Sequence, residues 1–155
     1  SFSIGLWAYL DSLGVADRTL ASKWQAVGAR EFLLAYNPVG SHFRFNMNLL
    51  DVIAASAFGA ATVGNWNFVV AWFDLAAGSM NIQINNGTIN TVASIVAPNA
   101  DASANPLFIG ARNDVTPLDH MDGRIDEVGL WRRVLTSAES TQLYAGGARL
   151  AYHFH

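Results

Sequence analysis

The sequence predicts an all-β protein, an antiparallel two-sheet sandwich with one short helix near the C-terminus. Three observations carry that prediction. Apolar and polar residues alternate with period two through most segments, as they do where one strand face is buried and the other meets water. Turn residues separate those segments at hairpin spacing. A single helix start is written late in the chain, at Thr136-Ser137-Ala138-Glu139. There the Thr hydroxyl takes a free helix-start amide and the Glu side chain returns to the cap amide, a capping box.

The first strand is Phe2-Ser3-Ile4-Gly5-Leu6-Trp7-Ala8-Tyr9. Phe2, Ile4, Leu6 and Ala8 share one face, and Ser3, Gly5, Trp7 and Tyr9 the other. Arg30–Tyr36 and His42–Leu49 read as two strands joined by the turn Asn37-Pro38-Val39-Gly40-Ser41. In the second of these, Phe43, Phe45 and Met47 alternate with Arg44, Asn46 and Asn48, the pattern of a half-solvated strand. Trp66–Asp74 is another strand. Asn81–Asn85 and Thr88–Val92 flank Asn86-Gly87, which predicts a two-residue hairpin turn with positive φ at both positions. The same residues spell the glycosylation sequon Asn86-Gly87-Thr88, which the turn explains fully. Ala97 to Pro106 is a loop, Leu107–Arg112 a strand, and Arg124–Arg133 a longer one. The helix that follows is short and ends at Gly146-Gly147. Arg149 to Phe154 resumes a strand-like pattern.

Composition narrows the function classes. With 155 residues the chain is one domain, 1–155, and neither an internal repeat nor a linker interrupts it. Charged residues make up 14%, against about 25% in an average domain, so Asn, Ser, Thr and backbone groups must supply much of the polar surface. Nine Lys+Arg and a net charge of −3 argue against a nucleic-acid partner, because phosphate neutralisation needs clustered cations. Apolar runs such as Phe68–Phe73 fall far short of the ~20 residues of a spanning helix, which argues against membrane insertion. With no cysteine, disulfides and thiolate chemistry are excluded. The chain as given starts at Ser1 and carries no targeting segment.

Several segments in register resemble the laminin G-like, concanavalin A-like lectin/glucanase jelly-roll family. Phe2–Trp7 is similar to its early strand and Leu20–Trp24 to the edge segment that follows. Trp66–Asp74 resembles the central strand, with a Trp near its start and an Asp at its end. Ile82–Asn90 resembles the family hairpin. Gly110-Ala111-Arg112, Asp122–Trp131 and Thr136–Glu139 resemble the closing strands and helix. Two departures stand out. Family members carry one or two strands ahead of the position of Phe2, which this chain lacks as given; Leu150–Phe154 is the sort of strand that would fill the gap or pair with a neighbouring chain. Ser140 also occupies a helix position where an aliphatic residue is common, which predicts thinner packing of the helix.

The resemblance implies a jelly-roll sandwich and, from its glucanase members, raises hydrolysis. Retaining glycosidases need two carboxylates about 5–5.5 Å apart, yet the three glutamates, Glu31, Glu127 and Glu139, form no such strand pattern, and Glu139 serves the helix cap. No Gly-x-Ser-x-Gly elbow occurs, and the four His show no metal-ligand spacing. The chain is therefore read as non-enzymatic. No cofactor is required. A structural Ca²⁺ is the inorganic partner the resemblance allows, with Asp126 as its acidic ligand. The plainer reading of Asp126, a carboxylate capping backbone amides or pairing with an Arg, is preferred. Asn113 and Asp114 open an oxygen-rich loop whose alternative reading is a set of Asx turns.

Aromatic residues supply the candidate binding surface. Val69, Ala71 and Phe73 occupy the buried phase of the family pattern, which leaves Phe68, Val70 and Trp72 on the opposite face with Trp7 and Tyr9. Exposed aromatic area stacks against sugar faces or is buried by protein partners. The alternative is a second core, roofed by a loop or by the C-terminal segment. The expected ligand-binding residues are thus Trp7, Tyr9, Phe68, Trp72, Asn113 and Asp114. The functional expectation is a non-catalytic carbohydrate-binding or adhesion module, using that face or the loops at one end of the sandwich. The alternative is a structural or interaction protein, such as a virion decoration or tail component, assembling as a homo-oligomer through an open edge. Its partner is a glycan or a protein, and its setting extracellular, on a cell surface or on a virion.

Overall fold

A computed structural model describes residues 1–24, 30–48, 51–93, 105–113 and 116–148. Among the described residues ten strands form two five-stranded sheets, with one α-helix after the last strand, and every neighbouring pair of strands is antiparallel. In the first sheet β1 (Phe2–Leu10) lies between β10 (Gly123–Trp131) and β6 (Trp66–Asp74), and β7 (Ser79–Ile84) and β8 (Asn90–Ala93) follow β6. In the second, β3 (Arg30–Asn37) lies between β4 (His42–Met47) and β2 (Arg18–Trp24), with β5 (Asp51–Ala54) and the two-residue β9 (Phe108–Ile109) at the edges.

Alternation decides which side chains fill the space between the layers. Ile4, Leu6 and Ala8 from β1, Val69, Ala71 and Phe73 from β6, and Met80, Ile82 and Ile84 from β7 face Phe32, Leu34 and Tyr36 from β3 and Phe43, Phe45 and Met47 from β4. Their opposite-phase neighbours form the two outer faces. Strand β6, at the middle of its sheet, carries the expected boundaries unchanged.

Two irregularities matter below. Gly5 pairs with Gly129 but Trp7 pairs with Asp126, so Glu127 and Val128 together oppose the single residue Leu6. Glu127 takes the left-handed conformation, φ 50°, and the surplus residue makes a β-bulge. The β2–β3 register likewise slips between Thr19 and Ala21.

Four sequence expectations change. The hairpin turn falls one residue early: Asn85 and Asn86 hold the positive φ, 52° and 54°, and the Gly87 amide donates to the Ile84 carbonyl at 2.9 Å. Asn tolerates that conformation, and Asn85 is fixed there because its Oδ1 accepts the Phe68 amide at 2.8 Å. Gly87 instead relieves crowding, since a Cβ would lie 3.1 Å from the Ile84 carbonyl. The expected strand Leu107–Arg112 shortens to β9, because Gly110 turns the chain at φ 79°. Strand β5 was not read from the sequence. The helix α1 spans Ser137–Tyr144 and is closed by Ala145 in the left-handed region, φ 47°, before the two glycines. The strand expected at 149–154 and most of the 97–106 loop lie outside the described residues.

Candidate functional site

On the outer face of the first sheet, strand register sets the aromatic residues in rows. Arg124, Tyr9 and Trp66 share one row, Asp126, Trp7 and Phe68 the next, and Trp131, Ser3, Trp72, Asn81 and Thr91 the last shown by the pairing. Helix α1 roofs the middle. Its capping box is complete, with the Glu139 amide on Thr136 Oγ1 at 3.2 Å and the Thr136 amide on Glu139 Oε2 at 2.8 Å. Leu135, Leu143 and Tyr144 then pack onto Trp7, Phe68 and Val70, with the Tyr144 ring stacked on Trp7 at 5.9 Å. Ser140, expected to thin this contact, is buried and donates to Gln83 Oε1 at 3.4 Å.

This corrects two expected binding residues. Trp7 and Phe68 are each only 2% exposed, so their rings belong to a second core packed under the helix. Tyr9 and Trp72, both half-buried, stand on opposite sides of the roofed patch. Tyr9 meets Trp66 at 5.4 Å and lies under the Arg124 guanidinium at 4.5 Å. Trp72 neighbours Asn81, whose Oδ1 accepts from Thr91 Oγ1 at 2.7 Å. The four aromatics therefore do not form one surface.

Asp126 is exposed on the bulge, and its Oδ1 accepts the Glu127 amide at 2.9 Å. Among the described residues no three His, Asp or Glu side chains come together to hold a metal ion. The Asp126 carboxylate therefore caps at least one backbone amide of the bulge. Asn113 is half-buried in the loop after Ala111; Asp114 lies outside the described residues.

The outer face of the second sheet has a different character. Thr19, Ala35 and Arg44 form one row across β2, β3 and β4, and Ser22, Leu33 and Asn46 the adjacent row. Trp24 packs on Leu33 and Ala35 and carries the Arg30 guanidinium 5.2 Å above its ring. Ser22 donates to the Ala111 carbonyl at 2.9 Å, which ties the loop leading to Asn113 to this face. Asp17 accepts from Asn37 at 2.8 Å and from a terminal nitrogen of Arg44, so that end of Arg44 is held in place.

Three buried polar atoms on this face, Thr19 Oγ1, Arg44 Nε and Asn46 Oδ1, have no hydrogen-bond partner among the described residues. Thr19 is 0% and Asn46 9% exposed. An unpaired buried polar group costs about 1–3 kcal/mol, so a cluster of them marks a place where water or a ligand completes the bonding. The set comprises a hydroxyl, a donor and an acceptor around the small side chain of Ala35.

With fold and faces established, comparison with known proteins places the chain. Residues 1–139 match the sequence model of the concanavalin A-like lectin/glucanases superfamily. The chain belongs to that family. No protein of curated function matches by sequence. Similar solved structures include domain 4 of an extracellular arabinanase from Geobacillus stearothermophilus in complex with arabinotriose, at 20% identity and TM-score 0.63, over 92% of this chain and 66% of that one. A Ruminococcus gnavus IT-sialidase CBM40 bound to α2,3-sialyllactose follows at 15% identity and TM-score 0.73, over 92% and 82%. Trypanosoma rangeli sialidase matches at 16% identity and TM-score 0.63, over 92% of this chain but 22% of the enzyme. Against the arabinanase domain and the sialidase, the chain spans less than two thirds of the other chain's length. At these identities the likeness is one of fold: a concanavalin A-like sandwich.

Within this concanavalin A-like domain, Thr19, Arg44 and Asn46 escaped the sequence reading. The polar phase of Arg44 and Asn46 was visible in the alternation. That Thr19 joins them was hidden, because the register slip beside it resets which β2 residues face outward.

Proposed function

We propose that the domain is a non-catalytic carbohydrate-binding or adhesion module that takes its glycan on the outer face of the second sheet. The observation that carries this reading is that Thr19, Arg44 and Asn46 stand in adjacent rows of one face, with Thr19 Oγ1, Arg44 Nε and Asn46 Oδ1 buried and without protein partners among the described residues. Sugar hydroxyls both donate and accept, so they complement such a mixed set. The sugar ligands named for the arabinanase domain and the CBM40 lend the same reading support by fold analogy. The non-catalytic part is supported by the placement of the glutamates: Glu31 on β3, Glu127 on the β10 bulge and Glu139 on α1. Such a module works outside the cell, on its surface or on a virion. Among the described residues no helix is long and apolar enough to cross a membrane.

The test uses Thr19→Val and Asn46→Leu on a broad glycan array, followed by calorimetric titration. Removing a hydroxyl that has no protein partner leaves thermal stability unchanged or raised, while affinity falls about tenfold or more. Because binding here needs no metal, chelator leaves both affinity and melting temperature unchanged. Silence across the array, or wild-type binding by both variants, would overturn the proposal.

A second reading, a structural or interaction protein such as a virion decoration or tail component, is favoured by one observation. Leu107, Ile109, Val128 and Leu130 are all exposed aliphatics on or beside the edge strands β9 and β10. An apolar strip along open strand edges suits assembly into a homo-oligomer.

A further inference from the structure

At one end of the sandwich, where β1 begins, β2 ends and β10 ends, the two layers part around a cleft of about 750 Å³. That volume lies within the roughly 300–1,000 Å³ of small-molecule sites. Phe2 and Phe32 meet there with ring centroids 5.5 Å apart, and Leu107 and Leu130 stand at its rim. Set into the same wall is an ion pair, Lys23 Nζ to Glu31 Oε1 at 2.7 Å, with both side chains only about a fifth exposed. The cleft is thus apolar on one side and charged on the other.

The geometry points to a second saccharide site in this cleft, taking a single neutral sugar unit. The ion pair leaves two Nζ hydrogens and Glu31 Oε2 unspent among the described residues. A donor therefore stands beside an acceptor, the arrangement that a vicinal pair of hydroxyls satisfies, one accepting from Lys23 and the other donating to Glu31. The C–H face of the same ring then rests on the aromatic wall. Mutual neutralisation of Lys23 and Glu31 disfavours a charged ligand, and a wholly apolar one would desolvate the pair without repaying it. The inference extends the carbohydrate reading to a different place on the molecule and rests on it for the ligand class.

The experiment separates the two sites. The ¹⁵N-labelled chain is titrated with methyl glycosides of glucose, galactose, mannose and arabinose, following the amides of Phe2, Lys23, Phe32 and Arg132 against those of Thr19 and Asn46. At least one glycoside is expected to give saturable shifts at the cleft amides. These persist in Thr19→Val and weaken about tenfold or more in Lys23→Met/Glu31→Leu, which removes both charged hydrogen-bonding groups. Lys23→Gln, which keeps a polar side chain at a partly solvated position, gives the same direction if the double variant fails to fold. Absence of cleft shifts with every glycoside, or shifts that survive both changes, overturns the second site whatever happens at Thr19 and Asn46. Shifts at the cleft with none on the outer face would leave it standing and sink the first proposal.

Discussion

Glu139 accepts hydrogen bonds from the two terminal nitrogens of Arg133 at 2.6 and 2.7 Å and from the Thr136 amide at 2.8 Å. These contacts, the Arg133 bond first, hold its carboxyl well below the usual range, at about 2 against an ordinary 4.5. The sign follows from linkage: a folded-state value below the unfolded one stabilises the native form above about 4.5 and loses that stabilisation as pH falls through about 2. Chemical denaturation of wild type and Glu139→Gln at a series of pH values should therefore show a gap at neutral pH that narrows steadily below pH 4.5. A gap independent of pH would mean that hydrogen-bonding geometry, and not charge, holds the cap. At this scale much was legible. Thr136 and Glu139 announced the cap because their roles depend only on spacing along the chain. Asn85 did not announce its role, because its conformation is set by the Phe68 amide of another strand.

The helix is a weak element by its own sequence, eight residues long and too short to persist alone. Packing keeps it in place. Tyr144 covers both Trp7 and Phe68, with ring centroids at 5.9 and 6.2 Å. Tyr144→Ala is expected to lower unfolding stability by about 1–3 kcal/mol, read as a reduced denaturant midpoint, and to red-shift tryptophan emission as water reaches Trp7. An unshifted spectrum would show that the indole was never sheltered by the helix. Strand alternation in β1 and β6 revealed which side chains lie on each face. It did not reveal that α1 would claim the centre of the outer one. Leu135, Leu143 and Tyr144 were the available signal. Strand β5, four residues long, is too short for alternation to be distinguished from chance.

For the molecule as a whole, the two layers place β9 and β10 on the same side, since Leu107 and Leu130 line one cleft. If the exposed strip along that side is an assembly surface, light scattering at rising concentration will show a concentration-dependent mass, and Val128→Lys/Leu130→Lys will abolish it. A monomer at every concentration removes the assembly reading. The architecture was readable because a buried layer leaves its period in the residues. That Thr19, Arg44 and Asn46 share one face was not, because it depends on registers among three strands.

The surplus residue at Asp126-Glu127 has a broader consequence. Before it, the even-numbered side chains of β10 look away from the sandwich; after it, the odd-numbered ones do, and so the Trp131 indole comes to rest over Gly5. The strand thus behaves as a phase shifter whose setting is one amino acid. Losing or gaining a single codon there would turn that indole toward the opposite layer, so this stretch should tolerate exchanges of residue type far better than changes in its length.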